Sequence, residues 1–315
     1  EMAFLQKEML HNNSHYQKGF RLFPIHPWQE SKLKECDYFQ KYLRDEKIIP
    51  FYTEKPRWQA TSSLRTIFSE TSPFMLKFSL SLKLTNSIRH LLPKEVDRGL
   101  QLFDVMNSEK LIEFSEKYPK FHVMCEPFYL CLKNEKGEPS SDSVVVFREN
   151  PFQVKKLAEN QVVLSSLTQD GVLESKNLVL KIVEENIGSS KKFENIRKWY
   201  QSYLNNVLEP FLWLQANFGV LLGAHQQNLV VSLKKGLPVG CYFRDCQGTG
   251  YSRLGFEMYS RLIGNIREEN ENVVSQEMGH ALFGYYLITN STFGIISALS
   301  QDEPQFEEIL LGDLF

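Results

Sequence analysis

Between Phe74 and Leu84 the chain alternates without a break. Leu76, Phe78, Leu80, Leu82 and Leu84 fall on one face, and Lys77, Ser79, Ser81 and Lys83 on the other. A period of two belongs to extended backbone, so this stretch predicts a half-buried strand. A second alternating run covers 61–68, and "SETSP" (69–73) supplies the turn between them. Pairing Phe68 with Phe74 across that turn sets Arg65 opposite Lys77 and Ser63 opposite Ser79 on one face. Like charges directly opposite cost about 0.2–1 kcal/mol. An anion between them removes that cost, and phosphate is the best candidate. Ser63 and Thr66 add hydroxyl donors nearby. Snorkelling of both cations into solvent, or their pairing with glutamates, is the plainer alternative.

Thr85, Asn86 and Ser87 are all N-cap types, and a helical pattern is expected from Thr85 through Leu91 and Leu92 to Pro93. Arg89 then sits in its first turn, where a cation is unfavourable and an anion welcome. A longer helical stretch follows at 95–117. "FHVMCEPFYLCL" (121–132) and "SVVVFRE" (143–149) read as strands, as do the short runs "QVVLSSL" and "NLVLKIV". The helix predicted over 193–218 carries Ile196, Trp199, Tyr200, Tyr203, Leu204 and Val207 at helical spacing. Pro210 should kink it and Gly219 end it. The aromatics read as core, and His280 as packing rather than a ligand. A second hairpin spans 228–245, turning at Lys234–Gly236, and 252–312 is helical. These elements predict an α+β protein. Its first lobe, 1–155, is an antiparallel or mixed sheet with helices, and its second, 156–315, a hairpin sheet plus helices.

The 315 residues carry 36 basic and 38 acidic side chains, a net charge of −2. That balance gives no reason to expect nucleic acid or an anionic membrane as a partner, so any positive site is local. The five cysteines are an odd number with no C-x-x-C pair, which argues against a disulfide framework or a zinc site and suits a reducing cytoplasm. No apolar run approaches the roughly 20 residues of a membrane span.

The second hairpin gathers "GAHQQNLVV…YFRDCQG" at its two feet, so His225, Gln227 and Asn228 should lie near Arg244 and Asp245. An Asn and an Asp so placed can hold Mg²⁺ against nucleotide phosphates, as kinase-like folds do. Protein kinases carry a catalytic-base Asp five residues before that Asn. Here the position is Gly223, and the nearest upstream acid is Glu209. An attacking carboxylate needs no base, because it is ionised at neutral pH. The pattern therefore points towards carboxylate activation by adenylation. A kinase-like phosphotransferase stays open as an alternative.

"HPWQ" (26–29), "SSLRT" (62–66), Lys77, "LTNSIRH" (84–90), "FRENP" (147–151), "AHQQN" (224–228) and "RDCQG" (244–248) occur in this order. Together they resemble the siderophore synthetases that work without non-ribosomal peptide synthetases, the aerobactin-synthetase-like family, over about residues 20–290. The resemblance implies a cytoplasmic ligase shaped as thumb, fingers and palm, with 1–155 as fingers and 156–315 as palm. It would use Mg-ATP to adenylate citrate or a related carboxylate. A polyamine or hydroxamate-type amine, or a hydroxyl, then displaces AMP to give an amide or ester. By the same resemblance Ser63, Arg65, Thr66, Lys77 and His225 hold ATP phosphates, with Gln227 and Arg244 nearby. Asn228 and Asp245 bind Mg²⁺, and Thr85 and Arg89 contact the carboxylate. A homodimer is expected on the same ground. The family's His-rich N-terminal thumb and basic C-terminal segment are expected to lie outside this chain. The further alternative is a truncated or catalytically inactive homologue that binds nucleotide or siderophore. An iron-reductase role of the iron–sulfur type needs clustered cysteines, which are scattered here.

Overall fold

The period-two runs form strands, though not as one sheet. The computed structural model describes residues 19–52, 58–84, 87–153, 159–171, 176–186, 191–264, 266 and 271–315. The chain first forms β1 (Gln59–Ala60), β2 (Thr66–Phe68), β3 (Phe74–Phe78), β4 (Leu80–Leu84) and β5 (Ser87–Arg89). It divides into two compact units, Glu1–Leu100 with Glu126–Lys156, and Gln101–Cys125 with Leu157–Phe315. β6 (Phe121–Val123) therefore belongs to the second unit, while β7 (Phe128–Leu130) and β8 (Val145–Glu149) return to the first. The apolar run 121–132 is split between them, and the lobe read as 1–155 gives up 101–125.

In the first unit an antiparallel sheet has the order β1-β2-β3-β8-β7. Phe74, Leu76, Phe78, Val145 and Phe147 fill one face. Met75, Lys77, Val146 and Arg148 project from the other, as their pairing partners require. β3 is central and buried along its whole length, not half-buried as the alternation predicts. The alternating run also breaks at Ser79. Its N–H donates to Val144 O at 2.9 Å and its hydroxyl to Ser141 O, so the strand leaves the sheet there. β4 instead pairs with β5 as a separate hairpin.

That hairpin replaces the helix expected from Thr85. Ser87 pairs with Leu84, Ile88 with Lys83 and Arg89 with Leu80, across a bulge. Ser87, Ile88 and Arg89 thus find backbone partners on β4, which competes with an N-cap. The helix begins only at Pro93 (Pro93–Met106), where proline suits the first turn and Glu95 accepts from the Leu92 N–H at 3.3 Å. Arg89 is a strand residue, and Thr85 lies outside the described residues.

The second unit holds β9 (Asn160–Val163), β10 (Val220–Leu221), β11 (Leu229–Lys234), β12 (Leu237–Phe243) and β13 (Gly250–Tyr251). Its main sheet runs β6-β12-β11-β9, with β6 parallel to β12 and the rest antiparallel. The β11–β12 turn forms where the sequence places it, with Lys235 and Gly236 both at positive φ. "NLVLKIV" is a helix (Leu178–Asn186), not a strand: Asn177 Oδ1 accepts from the Leu180 N–H at 3.0 Å, a cap that starts the turn. A run apolar on every side fits either structure, and here the cap decides.

One long helix covers 192–218, with a π turn at Leu204–Leu208 just before Pro210 and Gly219 left-handed at its end. Pro210 has no N–H to offer the preceding turn, which accounts for the irregularity. Trp199, Tyr200 and Tyr203 are fully buried. A second long helix, Gln276–Leu299, is long and apolar enough to cross a membrane by length and composition, against the expectation of none. It spends Leu287, Ile295, Ile296 and Leu299 on the core of the second unit. His280, on the same helix, is exposed and not a packing residue.

Candidate functional site

In the first unit the register differs by one residue from the sequence reading. Thr66 pairs with Lys77 and Ile67 with Leu76, while the Phe78 N–H donates to Arg65 O at 2.8 Å. Arg65 is therefore not opposite Lys77, and Ser63 not opposite Ser79. The turn explains the slip. Asn150 donates to both Ser69 O and Ser72 O, and the Ser72 N–H closes back on Ser69 O. These bonds hold a loop one residue longer than a pairing of Phe68 with Phe74 allows. Arg65 instead donates from Nη1 to Arg89 O at 3.3 Å and, more weakly, to His90 O. Ser63 and Thr66 do meet, Oγ to Oγ1 at 3.4 Å.

Lys77 pairs with a glutamate, as the plainer alternative had it. Its ammonium lies 3.5 Å from Glu126 Oε1, and Arg148 donates to that same oxygen from Nε at 3.0 Å and Nη2 at 2.7 Å. All three side chains are nearly sealed off, at 2%, 1% and 3% exposure. The two cations that share a sheet face are Lys77 and Arg148, diagonal neighbours on β3 and β8, with a carboxylate between them. A signal was present: Glu126 is a lone charge inside the apolar run "FHVMCEPFYLCL", and a glutamate so placed is seldom buried without a partner.

In the second unit the hairpin gathers its feet as expected. Leu229 pairs with Phe243, so Asn228 faces Arg244, whose N–H donates to Asn228 O at 3.0 Å. Arg244 Nε donates to Gln227 O, also at 3.0 Å, while the Gln227 side chain is exposed. The Asn228 amide donates to Gly223 O at 3.2 Å, and its N–H closes a turn on His225 O at 2.8 Å. Burial holds the His225 imidazole below its ordinary value; the Asp245 carboxylate pulls the other way, and Arg244 adds to the lowering. His225, Arg244 and Asp245 therefore sense one another's charge.

Asp245 adopts φ 79° and ψ 67°, a left-handed conformation costing about 1 kcal/mol or more for a residue with a side chain. Gln226 was passed over in the sequence reading, yet it anchors the loop. Its N–H donates to Asn290 Oδ1 at 3.0 Å and its side-chain amide to Asn290 O at 2.5 Å, while Ser291 Oγ donates to Ala224 O at 2.7 Å. Asn290 and Ser291 belong to a π-helical stretch, Gly284–Thr292, whose wider turn puts consecutive residues against the loop.

Asn228 and Asp245 offer a neutral and an anionic oxygen, the donors a hard cation takes when phosphate and water complete its shell. No three His, Cys, Asp or Glu side chains gather into a metal cage among the described residues. The five cysteines are free, and burial pushes the Cys241 thiol well up, away from the thiolate form.

Residues 1–169 match the model of the IucA / IucC family, and residues 197–314 that of a ferric iron reductase FhuF-like transporter. The first match takes in more than half of the 315 residues, so the chain belongs to the IucA / IucC family. The N(2)-citryl-N(6)-acetyl-N(6)-hydroxylysine synthase of Vibrio mimicus is 38% identical over 95% of this chain and 51% of its own length. The spermidine-citrate ligase of Bacillus anthracis is 34% identical over 94% and 49%. The ATP-bound aerobactin synthetase IucA of a hypervirulent Klebsiella pneumoniae pathotype shares the α+β fold, with a TM-score of 0.84 and 33% identity over 92% of this chain and 52% of that one. The chain spans about half the length of the curated relatives it matches.

Proposed function

We propose that this chain carries fingers and palm parts of an ATP-dependent ligase that adenylates citrate or a related carboxylate and passes the acyl group to an amine. The observation that carries the reading is the convergence of His225, Asn228, Arg244 and Asp245 at the feet of one hairpin. The names of its relatives, citrate ligases and an ATP-bound synthetase, supply the substrate class. In the reaction a carboxylate oxygen attacks the α-phosphorus and pyrophosphate leaves. The amine nitrogen then attacks the acyl carbon, loses a proton and expels AMP.

In this reading Ser63, Arg65, Thr66, Lys77 and His225 bind the phosphates, with Gln227 and Arg244 beside them. Arg89 contacts the carboxylate, and Thr85 keeps the same assignment by resemblance alone. Asn228 and Asp245 hold Mg²⁺, which would neutralise charge on the departing pyrophosphate. The nucleophile is a polyamine or hydroxamate-type amine, the compartment the cytoplasm and the assembly a homodimer.

The kinase alternative lacks its base. Gly223 stands at that position and spends its carbonyl on the His225 N–H and the Asn228 amide. Glu209, the nearest upstream acid, accepts from the Tyr118 hydroxyl at 2.7 Å. Titrating the chain with ATP, with and without Mg²⁺, and then assaying AMP and pyrophosphate release with citrate tests the proposal. Mg-dependent binding and AMP are expected. ADP would overturn it in favour of a phosphotransferase, and binding without either product would mark an inactive or incomplete homologue.

A further inference from the structure

The buried trio in the first unit asks why a sheet interior keeps three charges. Matched apolar side chains are often as stable as a buried ion pair, so stability alone is a weak reason. The contacts are also unequal. Arg148 holds Glu126 Oε1 with two short hydrogen bonds, and Lys77 approaches it at 3.5 Å, an ion-pair distance rather than a short hydrogen bond. The carboxylate is thus fixed from the β8 side, and the ammonium on β3 is aligned by its charge. Thr66, across the ladder from Lys77, completes the row in which that ammonium stands.

We propose that Glu126 is a positioning residue for nucleotide binding: anchored by Arg148, it holds the end of the buried Lys77 side chain in place for the phosphates. This rests on the reading of Lys77 as a phosphate ligand. The physical logic is the one by which a glutamate ion pair sets the phosphate-binding lysine of protein kinases. A long flexible stem points one way only when something holds its end. Arg148 supplies the second half of the device, because without it the carboxylate is free to fold onto Lys77 and quench it.

The test is a double-mutant cycle on ATP affinity, measured by calorimetry on folded protein, with Lys77→Met, Glu126→Gln and the two combined. Each single change is expected to weaken binding about tenfold or more, and the pair no further than Lys77→Met alone, within about twofold. A purely structural role does not produce that non-additivity. Unchanged affinity in Lys77→Met would overturn the phosphate-ligand reading itself. Loss in Lys77→Met with none in Glu126→Gln, or losses that multiply, would overturn the positioning role and leave the reading standing. Should Glu126→Gln fail to fold, Glu126→Met with Arg148→Met removes one charge of each sign. That variant, folded yet binding ATP like the parent chain, would equally overturn the proposal.

Discussion

The two units carry their candidate site residues on opposite plans. In the first unit the charges are sunk into the middle of a sheet: Lys77 and Arg148 stand on neighbouring strands, and Glu126 enters from the segment ahead of β7. In the second unit the polar groups stand on turn residues at the ends of strands, and the loop beneath them is clamped by Gln226 and Asn290. Burial makes the first plan rigid and costly to disturb, because a charge deprived of its partner has no water to turn to. The second buries Asn228 and Arg244 but keeps His225 and Asp245 half-exposed, so the loss of these two should be felt by a ligand before it is felt by the fold. Stability and binding are therefore expected to separate between the two regions.

The largest expected effect tests that separation directly. Arg148→Ala removes both short hydrogen bonds to Glu126 and should destabilise the chain by about 3–5 kcal/mol, read from denaturant unfolding. Asp245→Ala should shift stability by less than about 1 kcal/mol, since it deletes a half-exposed carboxylate from a strained backbone position. Comparable losses in both variants would erase the distinction.

Binding is expected to fall without loss of the fold where the ligand groups are not buried ion-pair partners. Asp245→Ala and Arg65→Ala should each weaken Mg-ATP by about tenfold or more while leaving the fold intact, as titration calorimetry would show. Unchanged affinity in both would sink the pocket assignment. Gln226→Ala comes next: it leaves every proposed ligand and the backbone bond to Asn290 Oδ1 in place, and cuts the side-chain bonds to Asn290 O and from the Thr168 hydroxyl. A loss of about 1–2 kcal/mol in stability and a severalfold loss in ATP affinity are expected. An affinity that held while stability fell would mean the loop does not need its clamp to display Asn228 and His225.

The same contrast explains what was legible in the sequence. The hairpin of the second unit announces its turn, because Lys235 and Gly236 suit the positive φ a tight turn needs, and the strands on either side lie within one residue of the pairing that turn implies. Counting from the turn alone would set Asn228 opposite Phe243; a bulge between Ser232 and Leu233 shifts the ladder by one residue and brings Asn228 to Arg244. The β2–β3 connection announces only that a turn exists. Its length is set by Asn150, far along the chain, and a slip of one residue removes Arg65 from the row of Lys77. Two cations do share one sheet face: in place of Arg65, Lys77 is joined by Arg148. Its strand, its carboxylate and its turn-setting neighbour all come from distant sequence. The hairpin in place of the Thr85 helix has the same root, since N-cap residues also make good turns and only the pairing of Arg89 with Leu80 decides between them.

The smallest effect concerns pH and sharpens the comparison from the palm side. Burial disfavours the charged imidazole of His225 in the folded chain, so the unfolded chain binds its proton more readily. Stability from this group is therefore present above the ordinary value of 6.5 and is lost as pH falls through that value towards the lower folded one. Half-exposure limits the effect to well under about 1 kcal/mol. His26 and His90 are shifted downward by burial as well, so the parent chain's acid slope is not due to His225 alone. The difference in melting temperature between parent and His225→Asn, followed from about pH 7.5 to 5.5, isolates its share. The parent should lose slightly more than the variant over that interval. Asp245→Ala should lose more still, because the nearby carboxylate is what partly offsets the burial. A slope in Asp245→Ala no steeper than the parent's would mean that Asp245 and His225 are not coupled, and would dissolve the cluster at the feet of the second unit's hairpin.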